Sequence, residues 1–329
     1  MRTRTPAAVL KQSPLALSAF LLLFQLVACA SRQPRSGMLE QASRDKSAPR
    51  MFWTVAAAPG ATGKGLLYVQ GTLHLGTPEL YPLDVRSFEA LAAAHVVFSE
   101  MSPRELESVQ ELVLSRMATA VLRDGASLRT LLPRDDAAWL ESFIGVSVFD
   151  ALASYEPWVA YGAVDQFAAS RLNLDPGLGV DAAIFKEAAR IGKEVEGLEP
   201  AADQLRLLSG PALSLQVLLL RDSIREYRYH AEALSNLYRA YLDDDRAAFA
   251  REVTASIGRS EAFDPALSEF HEALLSARNA AWAERLAGLL DEGKTIYLFA
   301  GAAHFAGPGN MLERLQEYGY GAARTMERP

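Results

Sequence analysis

The sequence predicts an α+β fold: a mixed central sheet built from both chain ends, with a large helical insertion between them. Three observations carry that expectation. Apolar runs of strand length lie near both ends, at 51–57, 66–70 and 295–300. From about 104 to 290 the apolar residues recur mostly at helical spacing. Finally, two of the terminal runs end in the same pattern, Gly71-Thr72-Leu73-His74 and Gly301-Ala302-Ala303-His304.

In chain order, 51–57 and 66–70 read as a hairpin around the turn-rich segment 59–65. Residues 85–94 follow with Phe88, Leu91 and Ala92 on one helical face, and 95–100 form a short strand ending in Glu100. Ser102-Pro103 starts a helix, since proline at the first helical position gives up no needed donor. That helix carries Leu106, Val109, Leu112, Val113 and Met117, and further helices begin at Asp135 and Asp181. Residues 194–199 suggest another short strand. Helices then run from about 202 to 290, with breaks expected near Gly210-Pro211 and Gly258. Glu292-Gly293-Lys294 turns into the strand at 295–300, and a helix near 310–318 and a strand near 321–326 close the chain.

The first 28 residues are set apart. Arg2, Arg4 and Lys11 precede an apolar run over about 15–27, which ends in Leu26-Val27-Ala28-Cys29. This is the layout of a secretory signal, and its apolar run is shorter than the roughly 20 residues of a spanning helix. Leu-Val-Ala-Cys resembles a bacterial lipobox, which makes Cys29, the sole cysteine, a lipid-attachment residue. Residues 29–50, rich in Ser, Arg, Gln, Lys and Pro, read as a flexible tether, and 51–329 as the domain. Ala30 and Ser31, with no Asp after the cysteine, favour the outer membrane by the sorting rule of enteric bacteria. Basic residues total 33 against 40 acidic ones, a net charge of −7, which argues against nucleic acid as a partner.

Glycine permits a left-handed turn or a close approach, so each Gly-x-x-His places a histidine just past a strand's carboxyl end. Open α/β sheets gather ligands there. With only five histidines in the chain, His74 and His304 in matched settings point to one site if their strands are neighbours. Glu100 ends a third strand. Imidazole and carboxylate together suit a divalent ion, and an ion with an open position activates water. Glu100 is then a ligand or a general base. Asp181, Glu199, Arg278 and Asn279 are less specific candidates. Three motifs fail. His271-Glu272-Ala273-Leu274-Leu275 lacks the second histidine of a zincin helix, and Gly145-Val146-Ser147-Val148-Phe149 lacks the last glycine of a nucleophile elbow. Gly177-Leu178-Gly179-Val180-Asp181-Ala182 does not follow a buried strand, as a dinucleotide loop would. Asp243-Asp244-Asp245 reads as a solvated helix terminus.

Residues 67–76, with 80–83 and 96–100, resemble the N-terminal signature of the TraB/GumN family, which includes the Tiki-type metalloproteases. Gly179-Val180-Asp181, Gly192-Lys193, Leu198-Glu199 and Arg278-Asn279 are similar to its middle motifs. Gly301 to Gly307, then Leu312, Leu315 and Gly319-Tyr320, resemble its C-terminal signature. Gln70 and Ser99 stand where apolar or small residues are common. The resemblance implies an erythromycin esterase/ChaN-like fold. It implies His74, Glu100 and His304 as metal-site positions, with Glu100, Arg278 and Asn279 in catalytic or supporting roles. The implied cofactor is a divalent ion such as Mn, Co or Zn, and the implied activity a peptidase, amidase or esterase of the cell envelope. Its partners would be a peptide or small-molecule substrate and, through the N-terminal lipid, a membrane. A metal-independent esterase and a non-catalytic protein that sequesters a peptide or signal are the alternatives.

Overall fold

The computed structural model describes residues 49–58 and 63–323. The expected signal segment, Cys29 and most of the tether lie outside the described residues, as do 59–62 and the chain beyond 323. Side-chain contacts begin one residue ahead of the expected domain start. There the Arg50 guanidinium donates to the carbonyls of Leu242 (2.8 Å) and Leu80 (3.1 Å).

The chain opens with the hairpin β1 (Phe52–Ala57) and β2 (Leu66–Thr72), then α1 (Val85–Ala93), β3 (Val96–Ser99) and α2 (Pro103–Thr119). Next come α3 (Leu128–Leu131), α4 (Arg134–Ile144), α5 (Val146–Leu152), α6 (Pro157–Arg171) and α7 (Val180–Arg190), which leads into β4 (Val195–Gly197). A second helical run follows: α8 (Ala201–Ser209), α9 (Leu213–Tyr229), α10 (Ala233–Leu242), α11 (Arg246–Phe263), α12 (Leu267–His271) and α13 (Ala277–Asp291). The chain returns through β5 (Thr295–Gly301), α14 (Met311–Glu317) and β6 (Tyr320–Ala323). Ser102 caps α2 as expected, its side chain accepting from Glu105 while the Glu105 carboxylate accepts from the Ser102 N–H.

The sheet order is β4-β3-β5-β2-β1-β6, so strands from both chain ends interleave. Strands β4, β3, β5 and β2 are parallel, whereas β1 is antiparallel to both β2 and β6. A central parallel strand is buried on both faces, which is why β5 reads as a continuous apolar run. Ile296, Tyr297, Leu298 and Phe299 have no exposed surface. Around them Val55, Leu67, Val69, Phe98 and Leu286 form one core, and Val113, Leu140, Phe149, Val164, Leu220 and Ile224 form a second among the helices. Phe185 of α7 packs against both. Among the described residues no helix is long and apolar enough to cross a membrane.

One expected break is absent, because Gly258 lies inside α11. A β-carbon there would meet nothing within 4 Å, and glycine in a helix interior costs only about 1 kcal/mol relative to alanine. The real stop is the Asp run. Asp243 ends α10, Asp244 has φ 51°, and the Asp245 carboxylate accepts from Ala248 N to start α11. This terminus is more than solvated, since Asp244 also accepts a 2.7 Å bond from the Met51 N–H.

Candidate functional site

Register sets the site. Thr72 at the end of β2 pairs with Gly301 at the end of β5, and Ser99 of β3 lies opposite both Phe299 of β5 and Gly197 of β4. Four parallel strands therefore end side by side, and just past them stand His74, His304, Glu100 and Glu199. This is the sheet edge where open α/β folds place their ligands.

The two glycines of the repeated motif are not left-handed, and Gly301 has φ −49°. Close approach is their reason instead. A β-carbon on Gly301 would sit 3.3 Å from Glu100 Oε1, 3.6 Å from His74 Nε2 and 3.9 Å from His304 Cδ2. Both imidazoles and the carboxylate thus surround one backbone position. The Gly301 N–H donates to Glu100 Oε1 at 2.8 Å. The Glu100 carboxylate also lies 4.0 Å from His74 Nε2 and 3.8 Å from His304 Nε2.

Each ring is fixed through its other nitrogen. His74 Nδ1 is 3.0 Å from Asp181 Oδ2, and because a carboxylate only accepts, Nδ1 carries the proton. The Thr72 hydroxyl donates to the other Asp181 oxygen at 2.6 Å. His304 Nδ1 is 2.7 Å from Asn279 Oδ1, while the Asn279 amide donates to Gly309 O at 3.1 Å. That second bond orients the Asn279 oxygen toward His304, so Nδ1 is again the donor. Both histidines therefore turn Nε2 toward Glu100.

Asp181 reaches His74 because two loops touch backbone to backbone. A β-carbon on Gly179 would lie 2.4 Å from the His74 carbonyl oxygen, and the Val180 N–H donates to Leu73 O at 2.8 Å. The segment that nearly matched a dinucleotide loop is a 3-10 turn running through Gly179 into the first residues of α7, which carry Asp181.

Arg278 completes the cluster. It donates from Nε to Glu199 Oε2 at 2.9 Å, from Nη1 to Leu274 O at 2.8 Å and from Nη2 to Glu100 Oε2 at 2.8 Å. Nη2 also bonds Glu199 Oε1. A π-helical turn, Glu272–Ser276, lies immediately before Arg278 and Asn279 and contains the Leu274 carbonyl. Such turns recur at functional sites. The Gln204 amide, from α8, donates to both Glu199 and Glu100.

The two histidines differ in charge near neutral pH, His74 being protonated and His304 neutral. Burial disfavours the protonated His74 ring, but the adjacent Asp181 carboxylate and Glu100 outweigh it and raise its pKa to about 9. Burial also dominates at His304 and, with Arg278 and His74 nearby, lowers its pKa to about 3 despite Glu100. Burial likewise opposes ionisation of Glu100, yet the imidazoles, the Arg278 guanidinium and the Gly301 N–H hold it below the usual carboxylate range.

Every expected site residue among the described ones falls in this cluster: His74, Glu100, Arg278, Asn279 and His304. The less specific candidates Asp181 and Glu199 join them. Thr72 and Gln204 were not anticipated. His271 stays outside, its Nδ1 buried without a hydrogen-bond partner. Gln70 and Ser99 take structural bonds, Gln70 to Arg50 O and Ser87 and Ser99 to Met101 O.

The donor set fits a divalent ion in kind. Metal-bound histidines typically donate their other N–H to a carboxylate or an oxygen, as both do here. The 4.0 and 3.8 Å gaps from the ring nitrogens to Glu100 lie within the span of one metal–nitrogen bond of about 2.0–2.1 Å and one metal–oxygen bond of about 2.0–2.2 Å. Even so, no three His, Cys, Asp or Glu side chains among the described residues are already gathered as a ligand set, and Arg278 occupies one Glu100 oxygen.

Residues 51–324 match the TraB/PrgY/gumN family, and the chain belongs to it. It is 24% identical over 304 residues to an uncharacterized protein of Treponema pallidum (strain Nichols), covering 90% of this chain and 88% of that one. No solved structure matches the chain significantly.

Proposed function

We propose that this protein is a metal-dependent hydrolase of peptide, amide or ester bonds, with His74, His304 and Glu100 sharing one divalent ion such as Mn, Co or Zn. The observation that supports it best is the common orientation of the two rings, each donating Nδ1–H outward and turning Nε2 toward one carboxylate. A bound ion would polarise a substrate carbonyl and acidify a water molecule. Asp181 and Asn279 then hold the proton on Nδ1 of both rings, which leaves Nε2 free on His304 and leaves it free on His74 once an incoming ion displaces its second proton. Glu100 serves as ligand or takes the water's proton on a carboxylate oxygen. The Arg278 guanidinium steadies negative charge developing on the carbonyl oxygen, with Asn279 supporting through His304.

The test is uptake of Mn²⁺, Co²⁺ or Zn²⁺ by chelator-stripped protein, followed by a hydrolysis screen over peptides, amides and esters. One ion per chain and chelator-sensitive hydrolysis are expected. The orientation of both rings toward one carboxylate leaves a second reading, a metal-independent esterase in which a histidine is the base, and hydrolysis insensitive to chelator would select it. Binding of a peptide or signal with neither metal nor turnover would mark a sequestering protein.

Cys29 is proposed as a lipid attachment that places the domain at a bacterial membrane, the outer one by the residues that follow it. Cys29→Ser should move the protein from the membrane to the soluble fraction. Equal partition of variant and wild type would remove this proposal.

A further inference from the structure

Arg278 lies between two carboxylates, and they do not hold it equally. Glu199 receives the guanidinium through both of its oxygens, from Nε and from Nη2, the two-pronged arrangement that makes the strongest pairs of this kind. Glu100 receives only a single bond, from Nη2. The guanidinium has further supports that owe nothing to Glu100: Nη1 on Leu274 O, and the Trp282 ring, whose centroid lies 4.8 Å from the guanidinium carbon. Glu199 is itself fixed by the backbone, because its N–H donates to the carbonyl of Glu100 at 3.0 Å. Gln204 spans the two carboxylates, donating to Glu199 Oε1 and, at 3.2 Å, to Glu100 Oε2. If Glu199 were absent, the same cation would have, among the described residues, only Glu100 as a carboxylate partner.

We propose that Glu199, assisted by Gln204, is a positioning residue that holds Arg278 in place and so leaves Glu100 free to serve the divalent ion, a role that rests on the metal reading of the site. Glu100 keeps the Gly301 N–H at 2.8 Å, so its carboxylate stays anchored when the bond to Arg278 is given up. Glu199 touches neither histidine's free nitrogen in any bond described and acts through Arg278.

The test is a double-mutant cycle read by Zn²⁺ affinity on intact protein, using Glu199→Gln, Arg278→Gln and the double variant. In the wild-type background Glu199→Gln should weaken zinc binding by about 10-fold or more, the scale expected for residues that orient metal ligands. In the Arg278→Gln background the same change should matter by less than about twofold, because no guanidinium remains to be held. Gln204→Leu should weaken binding in the same direction by a smaller factor. An equal loss in both backgrounds would reduce Glu199 to a nearby negative charge, and no loss in the wild-type background would overturn the proposal directly. A second readout needs no metal: exchange of the Arg278 Nε proton, followed by ¹⁵N NMR, should speed up about 10-fold or more in Glu199→Gln. If wild type takes up no zinc, the metal reading fails, and an unchanged exchange rate then overturns the clamp on its own. The same measurement decides the matter if Arg278→Gln does not fold.

Discussion

The loops after β2 and β5 carry the same Gly-x-x-His pattern on paired, parallel strands, yet their histidines end in opposite states. The His74 side chain is 23% exposed and faces the Asp181 carboxylate, whereas the His304 side chain is 5% exposed and faces the neutral Asn279 amide. One ring is raised to about 9 and the other lowered to about 3. The difference teaches that the motif fixes where an imidazole stands, and that a partner from another element fixes its charge. For His74 that partner comes from α7, and for His304 from α13.

The strongest way to break the comparison is to remove each ring. His74→Ala and His304→Ala should each weaken divalent-ion binding by more than the 10–100-fold typical of the residues that orient ligands. The double variant should lose little more than either single one, since groups that act as a unit are non-additive. Isothermal titration of stripped protein reads this, and independent, additive losses would contradict a shared ion.

The pH dependence of stability separates the two rings without metal. His74 is raised from 6.5 to about 9, so its stabilisation is complete below pH 6.5 and is lost as pH rises through 9, by up to about 3 kcal/mol. His304 is lowered from 6.5 to about 3, so its contribution holds above pH 6.5 and fades as pH falls toward 3. Urea unfolding in the presence of chelator should show the alkaline decline disappear in His74→Gln and the acid decline shrink in His304→Gln. A decline unaltered by its own substitution would mean that other groups cause it.

Exchanging the partners sharpens the comparison further. Asp181→Asn should bring His74 down from about 9, and Asn279→Asp should bring His304 up from about 3, as followed by NMR titration of the zinc-free protein. Either change should also alter metal affinity within a 10–100-fold range. The smallest effect is expected at the control ring. His271→Ala should leave metal affinity unchanged and cost about 1 kcal/mol or less, because this half-buried ring has no bonded partner at Nδ1 and lies outside the cluster. Loss of bound metal from a folded His271→Ala would relocate the site.

The strand ends and the residues they carry were legible because apolar runs, glycines and chemically distinctive side chains coincide there. His74, Glu100 and His304 follow from that logic, and Arg278-Asn279 from the family resemblance. Asp181 stood among the candidates, but its pairing with His74 was not legible. An Asp at the start of α7 reads as an ordinary helix-terminus residue, and only the backbone approach at Gly179 delivers it to the ring. Gln204 is a polar position on an amphipathic helix, and nothing local distinguishes one that faces Glu100 from one that faces water. The break expected at Gly258 failed because glycine lowers helix propensity without forbidding the helix, whereas Asp244 and Asp245 supply the left-handed residue and the cap that end one helix and start the next.

The most direct measurement is anomalous diffraction at the zinc edge from crystals of chelator-stripped protein soaked with Zn²⁺. One peak is expected at the carboxyl ends of β2, β3 and β5, about 2.0–2.1 Å from Nε2 of both His74 and His304. A peak bound to only one of the rings, or no peak there at full zinc occupancy elsewhere, would contradict a shared ion.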